Sequence, residues 1–153
     1  MTWTTLTEHD LLSSMTLRER DDFAKTSAGV SVSDRLLPIL ADLTAEIRGY
    51  IATWAPNTIS EDLEKIPPSF KAKAMAIARW RLLVTIPGYQ PGEARKLEYE
   101  KADAFFLSVA KGQIRPEPAD DAIATAVPGE KPNGVQVVSG PGSRTGRTRM
   151  DGI

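Results

Sequence analysis

The sequence predicts an all-α protein: a helical bundle of three long helices plus two short N-terminal helices, with an extended C-terminal tail. The first observation is an apolar stripe at spacings of three and four residues, which is typical of one helix face. Its members are Leu36, Leu40, Leu43, Ile47, Tyr50 and Trp54. The second is a pair of helix-capping sequences before residue 20, and the third is the placement of proline and glycine between the helical stretches.

The two short helices are predicted from their caps. Thr7 and Asp10 have the spacing of a capping box, which predicts a helix over residues 8–14. Thr16 and Glu19 repeat the pattern, which predicts a second helix over residues 17–25. The small and polar residues that follow, around Gly29, predict a loop.

The first long helix places its apolar stripe toward a core and Asp42, Glu46 and Arg48 toward water. Pro38 is tolerated best in a first turn, so we expect a regular helix from Pro38 onward and a kinked lead-in over residues 33–37. Pro56 ends the helix, because the residue before a proline avoids helical angles.

Gly49 lies in the middle of this helix, where glycine costs on the order of 1 kcal/mol relative to alanine. Two interpretations remain open at this stage. Another helix could approach closely at Gly49, or the position could simply tolerate glycine.

Two further long helices are predicted over residues 69–86 and 93–111, separated by Pro87-Gly88 and Pro91-Gly92. The predicted inward stripe of the earlier one is Phe70, Ala74, Ile77, Arg81 and Val84. The later one has the apolar set Leu97, Tyr99, Ala102, Phe105, Phe106, Val109 and Ala110. Gly112 is predicted to terminate it, after Lys111.

The composition changes at residue 116, so we predict a helical domain over residues 1–115 and an extended Pro/Gly-rich tail over 116–153. The tail holds five prolines, six glycines and no aromatic residue, and cannot bury enough apolar surface to fold alone. Residues 135–139 could form one strand, which needs a partner sheet. We therefore predict partner-binding residues in the tail: Val135, Val137, Val138, Arg144, Arg147 and Arg149.

Composition also narrows the class of protein. Apolar residues make up 41% and charged residues 25%, which is typical of a soluble globular protein. A net charge of −1 argues against a general nucleic-acid binder, and a cysteine count of 0 excludes disulfides and thiol chemistry. The N-terminus lacks the pattern of a signal peptide, and no apolar run reaches the roughly 20 residues of a membrane span.

No catalytic or cofactor site is predicted. His9, the sole histidine, lies beside Glu8 and Asp10, where a solvated side chain is a better interpretation than a metal ligand. Residues 141–148 imitate a phosphate-binding loop, but too few residues follow to form the helix such a loop needs. Arg79 and Arg81 flank Trp80, and Arg81, which falls on the apolar stripe, is expected to form a structural pair with a carboxylate. We expect no enzyme activity, no metal and no cofactor.

Several segments, in order and spacing, resemble the head–tail connector (adaptor) proteins of Mu-like tailed phages. They are residues 6–11, 44–51, 67–71, 76–82, 98–103 and 109–112. The resemblance covers roughly residues 3–115. Arg48 departs from the family's pattern, which has an acidic or small residue there.

The resemblance implies a structural protein of the virion, made in the bacterial host cytoplasm and placed at the head–tail interface. Its implied partners are further copies of itself in a ring, usually dodecameric, then the portal protein and a tail or stopper protein. DNA passes through the ring without sequence readout, and no membrane is involved. The alternative is a small helical regulatory or nucleic-acid-binding protein whose basic C-terminal end contacts phosphate.

Overall fold

A computed structural model describes residues 2–26 and 29–124, and this part of the chain is mainly helical. The helices are α1 (Glu8–Ser14), α2 (Leu17–Thr26), α3 (Val32–Thr53), α4 (Lys71–Val84) and α5 (Glu93–Ala110). The strands are β1 (Thr4–Thr5), β2 (Thr58–Ser60), β3 (Lys65–Ile66) and β4 (Ala122–Ala124), and a 3-10 turn, Pro68–Phe70, precedes α4.

The two short helices confirm the capping prediction. The Thr7 side chain accepts from the backbone N–H of Asp10 at 3.2 Å, and the Asp10 carboxylate accepts from the backbone of Thr7 at 3.1 Å. At α2 the backbone N–H of Thr16 donates to Glu19 at 2.7 Å. Each box satisfies N–H groups that a helix start leaves without partners, so local sequence alone sets both starts.

Helix α3 begins earlier than predicted. Ser31 caps it by accepting from the backbone N–H of Asp34 at 3.1 Å, and the helix continues through Pro38 without a break. Residues 33–37, predicted as a kinked lead-in, therefore belong to the helix itself. Asp34 and Pro38 both lie exposed, where water can hydrogen-bond to the carbonyl that proline leaves without its helical donor.

Two small antiparallel sheets correct the all-α prediction. β1 pairs with β3, with Thr4 opposite Ile66, and β2 pairs with β4, with Ile59 opposite Ile123. The segment between α3 and α4 supplies β2 and β3. Strands of two or three residues are too short to show an alternating pattern in the sequence.

The inward face of α4 is broader than the predicted stripe. Phe70, Ala74 and Ile77 are buried as expected, but Val84 is 56% exposed, while Leu82 and Leu83 are fully buried. The cause is that α4 packs against α1, α3 and α5 together, so more than one stripe is covered. The core between these helices includes three aromatic rings in edge-to-face contact: Phe70, Phe105 and Phe106.

Residues 116–124, the first part of the predicted tail, lie against the helical domain. Trp3 donates from Nε1 to the carbonyl oxygen of Glu117 at 2.9 Å, and Ser69 donates to the Glu117 carboxylate at 2.6 Å. Ser60 donates to Asp121 at 2.7 Å just before β4 begins. The division at residue 115 stays a prediction, since the rest of the tail lies outside the described residues.

Candidate interaction surface

An open groove lies between α3 and the residues beside the paired strands β1 and β3. Its volume is about 250 Å³, and its apolar lining is Leu6, Leu37, Leu40, Ala41, Ala45 and Leu63. Leu6 and Leu40 are buried and form the floor, whereas Leu37 is 54% exposed and Leu63 is 76% exposed. Large apolar side chains that stay exposed around a concave surface are typical of an interaction site.

The groove residues on α3 follow from the same helical geometry that sets the core. Leu37, Ala41 and Ala45 are spaced by four residues, so they lie along one side of the helix. This side points away from the buried stripe that contains Leu43 and Ile47. One helix therefore serves the core with one face and the groove with another.

Arg48 fixes the opposite wall of the groove. Its guanidinium donates to the carbonyl oxygens of Ser60 at 2.8 Å, Asp62 at 2.8 Å and Lys65 at 3.0 Å. The prediction that Arg48 faces water was wrong, because the 60–65 segment folds back over it. Burial lowers the pKa of Arg48, opposed by the nearby carboxylates of Asp62 and Asp121. The guanidinium holds the segment that presents Leu63.

The groove has one charged residue in its lining. Glu64 is exposed there, beside the apolar side chains. An apolar floor with a polar edge suits contact with another protein.

Arg81 forms the structural ion pair that the sequence predicted, and Arg79 forms a further one. Arg79 pairs with Glu98 and donates to the carbonyl oxygen of Ser14 at 2.6 Å. Arg81 pairs with Glu46, which the sequence had placed on a water-facing surface. Both pairs join helices, α4 to α5 and α4 to α3, and neither lies in the groove.

Glu19 and Arg95 form a third bridge between helices, from α2 to α5, at 2.8 Å and 3.0 Å. Glu19 is 4% exposed. Its burial opposes ionisation, but the hydrogen bonds from Arg95 and the backbone of Thr16 outweigh it, so the pKa of Glu19 lies below its usual value. This bridge orients helices and has no part in the groove.

The other predicted sites do not add to the groove. His9 lies exposed on α1, and among residues 2–26 and 29–124 there is no cluster of three side chains suited to a metal ion. In the same part of the chain no helix is long and apolar enough to cross a membrane. Val135, Val137, Val138, Arg144, Arg147 and Arg149 lie outside the described residues.

The sequence did not predict the groove, because one of its walls comes from residues that are distant from α3 in the sequence. The spacing of Leu37, Ala41 and Ala45 is visible in the sequence and could have indicated a second apolar face on α3. Leu63 and Leu6 reach this face only through the β1–β3 pairing and the Arg48 hydrogen bonds.

The fold and this surface define a small, mainly helical protein with an open apolar groove. A comparison with family models identifies the group: the model described as bacteriophage Mu, Gp36 matches residues 6–133. The chain belongs to this family and is a phage-related protein. Searches of curated proteins and of solved structures found no match.

Proposed function

We propose that this protein is a head–tail connector: a structural adaptor that forms a ring below the portal of a tailed phage, through which DNA passes. The observation that carries the proposal is membership in the phage Mu Gp36 family over most of the chain. The segments that resemble Mu-like connectors lie within the same helical region. The open groove adds a surface suited to contact with another protein.

The proposed partners are further copies of this chain, the portal protein, a tail or stopper protein, and passing DNA contacted without sequence readout. The tail is proposed to bind the portal or a neighbouring copy. Its valines at 135, 137 and 138 would add an edge strand to the partner, and its arginines at 144, 147 and 149 would meet acidic groups or phosphate.

The alternative function is a small regulatory or nucleic-acid-binding protein that uses the basic end of the tail. The sequence feature that favours it is the group of three arginines near the C-terminus. Such a protein would bind DNA as a small species, with an affinity that falls steeply as salt rises.

Native mass spectrometry of the full chain, alone and mixed with portal rings, tests the proposal. We expect a ring of many copies that docks on the portal, in the absence of nucleic acid. A chain that stays monomeric with and without the portal, and binds duplex DNA with a steep salt dependence, would instead establish the alternative. The mass of the docked ring would also give the number of copies.

A further inference from the structure

Helix α2 contributes only two of its ten residues to the buried interior. Phe23 is 1% exposed and Glu19 is 4% exposed, whereas Leu17, the other large apolar residue of the helix, is 77% exposed. One apolar and one charged anchor bury little apolar surface, and a helix of this length is marginally stable without such burial. The free energy that keeps α2 against the core is therefore small compared with that of helices packed through a whole face.

The packing around α2 is also incomplete. Among the described residues, the extensive helix–helix contacts join α3, α4 and α5 to one another and α1 to α3 and α4, but none of them involves α2. A cleft of about 290 Å³ lies beside α2, with Lys25 and Thr26 on one side and Ile86 and Tyr89, after α4, on the other. Within the described chain, Arg20 Nε on α2 is buried without a hydrogen-bond partner. Both features favour a state in which α2 lies away from the other helices.

A buried ion pair holds the N-terminal half of α2. Arg95 on α5 donates to both carboxylate oxygens of Glu19, at 2.8 Å and 3.0 Å. Arg95 also pairs with Glu98 at 3.1 Å, and Glu98 pairs with Arg79, so the bridge continues to α4. Loss of one partner would leave the other charge buried and unpaired in the closed state. The Glu19–Arg95 pair therefore has a large share in the free energy of separating α2 from α5.

A weaker contact, from α3, holds the C-terminal half of α2. The Arg35 guanidinium carbon lies 4.4 Å from the centre of the Phe23 ring, and Arg35 donates to the hydroxyl of Thr26 at 3.4 Å. The hydrogen bond to Thr26 is exposed, so water competes with it. The closed position of α2 thus depends on the burial of Phe23 and on two arginines from neighbouring helices, of which Arg95 makes the stronger contact.

We propose that α2 opens as a unit, independently of the other helices, and that the Glu19–Arg95 pair controls how often it opens. Opening breaks this pair and returns both charges to water, while α3, α4 and α5 keep the contacts that they make with one another. Phe23, which belongs to the buried core in the closed state, is exposed in the open state. The open state therefore presents an apolar side chain, and the part of the core beneath it, that the closed state covers.

Hydrogen exchange of the natural chain in low concentrations of urea tests whether α2 opens independently. Local opening exposes little surface, so exchange of the α2 amides should rise only slightly with urea. Exchange at the centre of α4 requires global unfolding and should rise steeply. If the amides of α2 and α4 share the same steep dependence, α2 unfolds only with the whole fold and the proposal is overturned.

Two variants of matched chemistry test the role of the ion pair. Arg95→Met removes the partner of Glu19, so exchange of the α2 amides should rise about tenfold or more. The control is Arg81→Met, which breaks the pair between Arg81 and Glu46 that joins α4 to α3. That pair stays formed when α2 alone opens, so the control should raise exchange in α4 and leave α2 within about twofold of the natural chain.

A milder variant keeps the test decisive if Arg95→Met does not fold. Arg95→Lys retains the charge but not the paired bonds to two oxygens, so the rise in α2 exchange should be smaller than in Arg95→Met but still measurable. Unchanged α2 exchange in the Arg95 variants would show that the pair does not control opening. An equal rise of α2 exchange in Arg81→Met would show that α2 belongs to the global unfolding unit. Either result overturns the proposal, and neither bears on the connector function, because opening concerns a single chain.

Discussion

Two glycines in the helical region, Gly112 and Gly49, differ in the space that a side chain would find there. Gly112, just after α5, has φ of 73°, and a Cβ built there would lie 2.4 Å from the ring of Trp54. Gly49 in α3 has no atom within 4 Å of a built Cβ. Of the two interpretations left open for Gly49, close approach is therefore wrong within the described chain, and tolerance remains.

Alanine substitutions at these positions should shift stability in opposite directions. Gly112→Ala should lower the free energy of unfolding by more than about 1 kcal/mol, because the new methyl group meets Trp54 and the backbone favours glycine. Gly49→Ala should raise it by about 0.5–1 kcal/mol. Urea unfolding of both variants checks this, and equal shifts of one sign would contradict it.

Single residues also show which predictions succeed from sequence alone. Thr7, Asp10, Thr16 and Glu19 act on partners three residues away, so their caps follow from local spacing. Arg48 hydrogen-bonds to carbonyls up to 17 residues away, which no local pattern contains. Its position on the polar side of α3 predicted solvent instead.

At the scale of elements, Arg48 joins α3 to the segment that forms one wall of the groove. Arg48→Met should leave the carbonyls of Ser60, Asp62 and Lys65 without this donor, at a cost of about 1–3 kcal/mol. Arg48→Lys should recover only part of the loss, because one ammonium group cannot reproduce the planar fork.

Hydrogen exchange locates the effect of these Arg48 variants. Exchange should rise first in residues 60–65, while the centre of α4 stays protected. Uniform loss of protection across the chain would show that Arg48 supports the whole fold and not this wall of the groove.

The Glu19–Arg95 bridge between α2 and α5 makes stability depend on pH. The folded pKa of Glu19 lies below the ordinary value of 4.5, so its contribution is complete above that pH and is lost as the pH falls through the folded value. Glu19→Gln should cost on the order of 1–3 kcal/mol at pH 7. The difference from the natural chain should shrink below about pH 4.

Thermal unfolding across this pH range provides the check on Glu19. Glu61→Gln, at an exposed carboxylate outside the bridge, is the control and should change stability by less than about 0.5 kcal/mol. A Glu19→Gln deficit that stays constant from pH 7 to pH 3 would contradict the linkage.

The sequence predicts the ends of some helices, but it does not predict which helix face is buried or which strands pair. The bounds of α1 and α5 follow from caps and from Gly112, since these signals lie at the helix ends. The inward face of α4 does not follow, because three neighbouring helices decide which side is buried. β1 and β3 pair across about 60 residues of sequence, through strands of two residues each. The sequence therefore does not predict their contribution to the groove.

At the scale of the molecule, residues 116–124 link the two ends of the described chain. Their contacts reach Trp3 near the N-terminus, Ser69 before α4, and β2 through strand pairing. Residues 116–124 therefore contribute contacts to the helical domain, and a truncation that removes them should lower stability.

Two truncations separate the structural and partner-binding parts of the tail. A chain ending at Arg115 loses β4, the acceptor for Trp3 Nε1 and the buried Ala119, so it should melt several degrees below the full chain. A chain ending at Ala124 keeps these contacts and should melt within about 2 °C of the full chain. If the proposed portal contact lies in the valines and arginines beyond residue 134, this second chain should still form the ring but release from portal rings faster. Thermal unfolding and portal-binding kinetics of the three chains provide the measurement.

Equal melting of all three chains would show that residues 116–124 add nothing to the fold. Unchanged portal release by the chain ending at Ala124 would exclude the distal tail as the portal contact.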